Sequence, residues 1–407
     1  MHVIFVEPSF PANQRRFVRA LVDVGATVSA VGEASIRSLP DDLRQILHQY
    51  EHVRSVCDEQ AMLAAVRRLQ ARGWVDRLEA TVEAHILPVA KVREAAGIPG
   101  TSVQTAWLCR DKPTMKETLR SAGVPCAQSA AVGSAEAARA FAGKVGFPII
   151  LKPRSGAGAA GTERVNDADQ LEGAIERHHL HHGASVAAEE YIEGHEGFYD
   201  ALCVDGRIEH DFISHYYPGV LEAMRERWIT PYLVTTNRVD APHYAEVRAM
   251  GARVVRELGI GTSAVHMEWF FGPKGLKFSE IGCRPPGVSV WDLYSTANDI
   301  DLYRDWAHAV AWGTVPSRLS RRYAAALLAL RPEADGTIAG YEGLEQMQRA
   351  YGQWIIDAHL PPPGSRTQPI EGGYMANAWV RMKHPDYDRL REMLDAIGQT
   401  VRVRVRR

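Results

Sequence analysis

The period of apolar and polar positions changes several times along the chain, and each change marks an element. Residues 2–6 (HVIFV) are an unbroken apolar run of strand length. From 13 to 25, Phe17, Leu21 and Val24 recur at i, i+4 and i+7, which predicts a helix closed by Gly25. TVSAVG (27–32) predicts a second strand, and strand–helix–strand at this spacing is a unit of a parallel sheet. Helical patterns follow at about 40–49, 58–72 and 84–97, and IPG (98–100) and VPCAQ (124–128) flank another at about 112–122. The first 110 residues or so therefore predict one α/β domain. No GxGxxG follows its first strand, so no nucleotide site is expected there.

From 112 to about 315 the pattern predicts many strands, Gly-rich turns and two helices, at about 134–145 and 167–178. The last 90 residues predict strands at YAAALLALRP, YMANAWVRMK and TVRVRVRR, one helix at about 385–397, and a surface loop at PPPG (361–364). The expected division is 1–111, 112–315 and 316–407, in the α/β (α+β) class.

Composition narrows the functional classes. The 407 residues carry 47 Lys+Arg against 49 Asp+Glu, a formal charge of −2, which argues against a nucleic-acid partner. No apolar run reaches the roughly 20 residues that span a bilayer, so no membrane partner is expected. The N-terminus lacks a basic segment and a small-residue cleavage site, which predicts no signal peptide and a cytoplasmic location. Five dispersed cysteines without a CxxC pair suggest neither a disulfide framework nor a zinc site. HHLHH (178–182) lies where a helix ends, a position that favours His through the helix dipole. VRVRVRR reads as an edge strand with a solvated Arg face.

Three segments carry candidate chemistry. GFPIILKPRSGAGAAGTERV (146–165) is a strand ending in Lys152, then a Gly-rich loop containing Ser155, Gly156 and Gly158, then a second strand. A strand–loop–strand hairpin differs from a Rossmann turn, which needs a helix after the glycines. Such a hairpin can fold over a triphosphate, with backbone N–H groups and Lys152 on the phosphates. Next, VAAEEYIEGHE (186–196) runs an apolar strand into acids, an aromatic and an aliphatic. This suits a hinge that reads an adenine edge through its backbone, with Glu196 toward ribose hydroxyls. Finally, HMEWFFGPKGLKFSEIGCRPPG (266–287) predicts a hairpin with a three-residue loop, Pro273-Lys274-Gly275. That register pairs Gly272 with Leu276, Phe270 with Phe278, Glu268 with Glu280 and His266 with Gly282. Two facing carboxylates repel unless a cation lies between them, and carboxylate oxygens suit Mg²⁺. Arg284, just past the strand, suits a clamp on a phosphoryl group.

Taken in order, DKxxxK (Asp111, Lys112, Lys116), AGVP (122–125), FPIILKP with its Gly-rich loop, EEYIEGHE (189–196), HxE (266–268) and ExxxRPPG (280–287) resemble the ATP-grasp superfamily, of the carboxylate–amine ligase type. The resemblance implies a preceding α/β domain, a two-lobed ATP-grasp domain over 112–315 and a small C-terminal α+β domain. It implies ATP with Mg²⁺ (or Mn²⁺), and small-molecule carboxylate and amine substrates, plausibly amino acids; oligomeric state is left open, with a homodimer as the commonest default for any protein. It also implies phosphate contacts from Lys112 and Lys152, adenine held by Glu189, Glu190 and Ile192, and ribose by Glu196. Glu268 and Glu280 would ligate the metal, and Arg284 would stabilise the transferred phosphoryl group. Many members carry an Asn ligand two residues after the second Glu. Here that position is Gly282, which leaves two readings of His266 open: an approach to the metal or a phosphate through the space at 282, or a histidine packed beside the site. The other functions weighed are a biotin-independent carboxylase using bicarbonate and a non-catalytic nucleotide-binding module.

Overall fold

The computed structural model describes residues 1–155, 161–223, 229–287, 289–369, 373, 375 and 377–406. The N-terminal region is a four-stranded parallel sheet in the order Tyr50–His52, Thr27–Gly32, His2–Val6, Arg77–Glu79. Alternate residues of the central strand serve opposite layers. Ile4 and Val6 pack with the helices Glu59–Gln70 and Glu83–Ala96, while Val3 and Phe5 pack with Gln14–Asp23. The two short strands at 50–52 and 77–79 carry no alternation long enough to read from sequence.

A second, antiparallel sheet of four strands runs Ser129–Val132, Val186–Glu190, Ile149–Pro153, Glu163–Val165. One face packs on the helices Ala135–Val145 and Ala168–Arg177 through Ile149, Leu151, Val186 and Ala188. The intervening residues Ile150, Lys152, Ala187 and Glu189 therefore face away from those helices.

The third sheet has eight strands: Gly275–Gly282, Ser263–Gly272, His195–Val204, Arg207–Tyr217, Tyr232–Thr235, Ala324–Leu330, Ala378–His384, Ile355–His359. It crosses the boundary expected at 315, because Ala324–Leu330 joins Tyr232–Thr235 in register. Helices Ala245–Glu257, Val290–Asn298 and Leu302–Trp312 add to the two expected between 112 and 315. The last two are buried on several sides (Trp291, Leu293, Tyr294, Tyr303, Trp306, Val310), so no single apolar stripe announces them.

The C-terminal strand Arg402–Arg406 pairs with Thr337–Glu342, buries Val403, and sets Arg404 on Glu342 at 2.6 Å. In the HHLHH segment, His178 and His181 lie by Glu163 (3.6 Å) and Glu176 (3.1 Å). Among the described residues no group of three His, Cys, Asp or Glu is gathered to hold a metal alone. No described helix is long and apolar enough to cross a membrane.

Candidate active site

The cationic side of the site begins with a helix cap. Asp111 caps Lys112–Ser121 by accepting from Thr114 N at 3.3 Å, and its carboxylate also takes both arms of Arg154 at 2.8 and 3.0 Å. Arg154 directly follows the strand that carries Lys152, so one bidentate pair ties the helix start to the strand end. Lys112 and Lys152 are brought together as a result, each with Nζ on Glu280, at 3.3 and 3.5 Å.

Lys116, one helical turn on from Lys112, is fully buried and pairs with Glu189 at 2.6 Å. Lys152 meets the same carboxylate at 3.0 Å. Burial pulls the Lys116 ammonium down to about 8 against the attraction of Glu189. Burial also opposes the charge on Lys152, but Glu189 and Glu280 outweigh it and raise that pKa. For Glu189, burial is overcome by Lys116 and Lys152, and the carboxyl stays below its usual range.

The anionic side comes from the eight-stranded sheet. Glu268 pairs with Glu280 and His266 with Gly282, as the hairpin pattern predicts. The path to that pairing differs. The loop is two residues long, with Gly272 opposite Gly275 and Phe270 opposite Lys277, and Gly275 takes the left-handed conformation (φ 75°). A bulge between the Trp269–Phe278 and Glu268–Glu280 pairs then absorbs one residue and restores the carboxylate pair.

Glu196 lies on the neighbouring strand, opposite Phe270. Its Oε2 accepts from Val220 N at 2.6 Å. Burial, followed by repulsion from Glu268, pushes its carboxyl up to about 8. Glu280 behaves oppositely: burial raises it, but Lys152 and Lys112 win and hold it at about 2. His266 is raised to about 9, because Asp200 more than offsets the effect of burial.

Not every expected residue points where the sequence suggested. Glu189 was expected at the adenine. The two-residue period of its strand instead turns it onto the face shared with Lys152, where it serves the lysines. The Glu190 side chain is taken by Lys274 at the hairpin tip and by Gln128 N at 3.2 Å, and its backbone N–H donates to Gln128 O at 2.8 Å. Ile192 is half-buried in the loop after this strand, and Ser155 is exposed. Gly156 and Gly158 lie outside the described residues.

Arg284 donates through Nε to Glu83 at 2.9 Å, and Glu83 also meets Arg110 at 3.3 Å. Glu83, at the first turn of an N-terminal helix, thus fixes the arginine from another part of the chain. A cleft is lined by Glu83, Lys112, His266, Glu280, Gly282 and Arg284. Cys283 is buried against Cys109. Lys116 was visible only as part of DKxxxK. Glu83 and Asp200 carried no local signal, since each acts on a residue distant in sequence.

Residues 111–195 match the family described as the carbamoyl-phosphate synthase L chain, ATP binding domain. An L-arginine-specific L-amino acid ligase of Bacillus subtilis is 28% identical over 283 residues, covering 63% of this chain and 66% of that protein. An alanine–anticapsin ligase of Bacillus subtilis (strain 168) is 26% identical over 302 residues, covering 66% of this chain and 62% of that protein. The chain therefore spans just under two thirds of the length of these relatives. Among solved structures, an L-amino acid ligase from Bacillus licheniformis superposes with a TM-score of 0.77 at 16% identity, over 100% of this chain and 99% of that one. N5-carboxyaminoimidazole ribonucleotide synthetase from Thermotoga maritima superposes with a TM-score of 0.70 at 17% identity, again over 100% and 99%. The chain thus carries a matched ATP-binding segment over 111–195 and has the fold of the ATP-grasp ligases.

Proposed function

We propose that the chain is an ATP-dependent ligase that joins a carboxylic acid to an amine, with an amino acid as one substrate. The observation that carries this reading is the convergence of Lys112 and Lys152, from one side of the site, on Glu280 from the other. A triphosphate entering there meets two ammonium groups and, with a divalent cation, relieves the crowding of Glu196, Glu268 and Glu280. The names of both Bacillus subtilis relatives, each a ligase acting on an amino acid, support the substrate class.

In the first step a carboxylate oxygen attacks the γ-phosphorus, the bond to the β-phosphate oxygen breaks, and ADP leaves. In the second step the amine nitrogen attacks the acyl carbon of the acyl phosphate. Inorganic phosphate leaves and the nitrogen loses a proton. Catalysis of such transfers is chiefly positioning and charge stabilisation. Lys112 and Lys152 hold the phosphates, and Arg284, anchored by Glu83, faces the transferred phosphoryl group. The backbone from Glu190 to Ile192 takes the adenine edge, and the Oε1 of Glu196 takes a ribose hydroxyl.

Glu268 and Glu280 fit Mg²⁺, with Mn²⁺ as a substitute, because two carboxylates plus phosphate oxygens suit a hard cation. When bound, the ion neutralises charge on the β- and γ-phosphates. We assign 112–315 to this work, with 1–111 supplying Glu83 and 316–407 extending the large sheet.

The test supplies purified protein with Mg·ATP and pools of amino acids, and follows ADP, phosphate and product mass. The proposal expects ADP release only with particular pairs and a product lighter than their sum by one water. Dependence on bicarbonate would replace it with a carboxylase. ADP release with no substrate pair would replace it with a nucleotide-binding module.

A further inference from the structure

The small sheet and its helices, between residues 129 and 190, join the rest of the chain through two short crossings, 122–128 and 191–194. The two are bonded together where they leave the sheet. Glu190 N donates to Gln128 O at 2.8 Å, and Gln128 N donates to Glu190 Oε2 at 3.2 Å. Both are also held by the hairpin that carries Glu268 and Glu280. At the first crossing, Phe278 N donates to Pro125 O at 2.7 Å and Phe278 bridges to Cys126. At the second, Lys274 of the hairpin tip pairs with Glu190. The ligase reading uses the two carboxylates of that hairpin and leaves its tip without a part.

The closest approach is between backbones. The ladder of Ser263–Gly272 with His195–Val204 has its last pair at Phe271 and His195. Beyond that pair the chains stay in contact. A Cβ added at Gly272 would come within 2.0 Å of Glu193 O, and one added at Gly194 within 2.5 Å of Phe271 O. Both obstacles are backbone carbonyls, which cannot swing aside as a side chain can. A side chain at 272 must therefore push the crossing away by roughly an ångström before ordinary contact distances return. From the other side, the Arg164 guanidinium lies over the Tyr191 ring at 4.1 Å, and Tyr191 N donates to Pro148 O at 3.3 Å. The stretch from Glu190 to Ile192, given above to the adenine edge, lies between these anchors. A backbone that reads a base must keep its polar groups in place, because a hydrogen bond weakens steeply outside a narrow range of length and angle.

We propose, resting on the ligase reading, that Gly272 and Lys274 at the hairpin tip are positioning residues for the nucleotide base. They hold the backbone of 190–194 in register with the large sheet, so base recognition depends on residues that do not touch the nucleotide.

The test measures binding of Mg·ADP and of Mg·IDP, the inosine diphosphate, to the full chain by titration calorimetry. IDP differs only in the base, where a carbonyl replaces the adenine amino group. Wild type should prefer ADP by about tenfold or more, since the wrong base leaves hydrogen-bonding groups unpaired. Gly272→Ala should weaken ADP by about tenfold and IDP by no more than about twofold, a size in keeping with a misplacement of about 1 Å. Lys274→Glu turns attraction to Glu190 into repulsion and should lower the preference by about threefold. Its added charge acts on both nucleotides alike and cancels in the ratio. Lys274 is 68% exposed, so this variant carries the test if Gly272→Ala does not fold. Variants that keep the wild-type preference overturn the proposal, whether they bind both nucleotides unchanged or lose both equally, the mark of a purely structural role. A wild type that binds Mg·ADP and Mg·IDP alike overturns this inference alone. A wild type that fails to bind Mg·ADP overturns the ligase reading itself, and this inference with it.

Discussion

The small sheet presents Lys152 and Glu189 to the site, while the large sheet presents Glu196, His266, Glu268 and Glu280. On the small sheet the charges are settled within the protein: Glu189 holds Lys116 and Lys152 at 2.6 and 3.0 Å. On the large sheet they are not. Glu280, within reach of Lys112 and Lys152, is held at about 2, whereas Glu196, beyond that reach and beside Glu268, is pushed up to about 8. Two buried carboxyls of one sheet thus differ because the lysines cover one end only. Among the described residues the lysines cover the end at Glu196 less, an added cation gains most there, and that asymmetry supports the proposed place of nucleotide phosphates and a divalent ion between the sheets.

Removing the small sheet's cation should have the largest effect. Lys152→Ala should lower kcat/KM for ADP formation by about 10³-fold, as expected when a group stabilising developing charge is lost; steady-state kinetics reads this, and a loss under tenfold would break the contrast. Next comes Glu189→Gln, which leaves two buried ammonium groups facing a neutral amide. Breaking a buried pair from one side costs about 3–5 kcal/mol, measurable by urea denaturation, and a cost under 1 kcal/mol would mean that the small sheet is not internally settled.

Glu196→Gln tests the opposite plan. A carboxyl raised from 4.5 to about 8 in the folded state costs no stability below 4.5, costs more as pH rises, and reaches its full cost above about 8. The metal-free variant should therefore be more stable than wild type, by a margin that grows between those values and then levels off. A margin independent of pH would contradict the crowding of acids on the large sheet. The smallest effect belongs to Lys274→Ala at the hairpin tip. Lys274 is 68% exposed, so losing its pair with Glu190 should cost less than about 1 kcal/mol.

Much of this site was legible in the sequence. The lysine at the end of a buried strand and two carboxylates facing across a hairpin are local patterns, and both stand in the structure. The hairpin reached its facing pair by a different register, since the loop was one residue shorter than expected and a bulge restored the difference. Nothing in EWFFGPKGLKFSE marks a bulge, because the extra residue is defined only by the partner strand. Glu189 was assigned to the base although strand alternation already placed it on the face of Lys152. The supports, Glu83 behind Arg284 and Asp200 behind His266, were not legible. Each touches its partner across 201 and 66 residues of chain. The helices at 290–298 and 302–312 escaped because burial on several sides erases the stripe that reveals a surface helix.

The central claim is that a substrate carboxylate takes the γ-phosphoryl group of ATP at the junction of these sheets. With a productive substrate pair in hand, the carboxylic acid is supplied with ¹⁸O in its carboxylate and the released phosphate is analysed by mass. An acyl phosphate requires one labelled oxygen to leave with each phosphate, and the amide to keep the other. Phosphate free of label, formed at the same rate as product, would contradict the account.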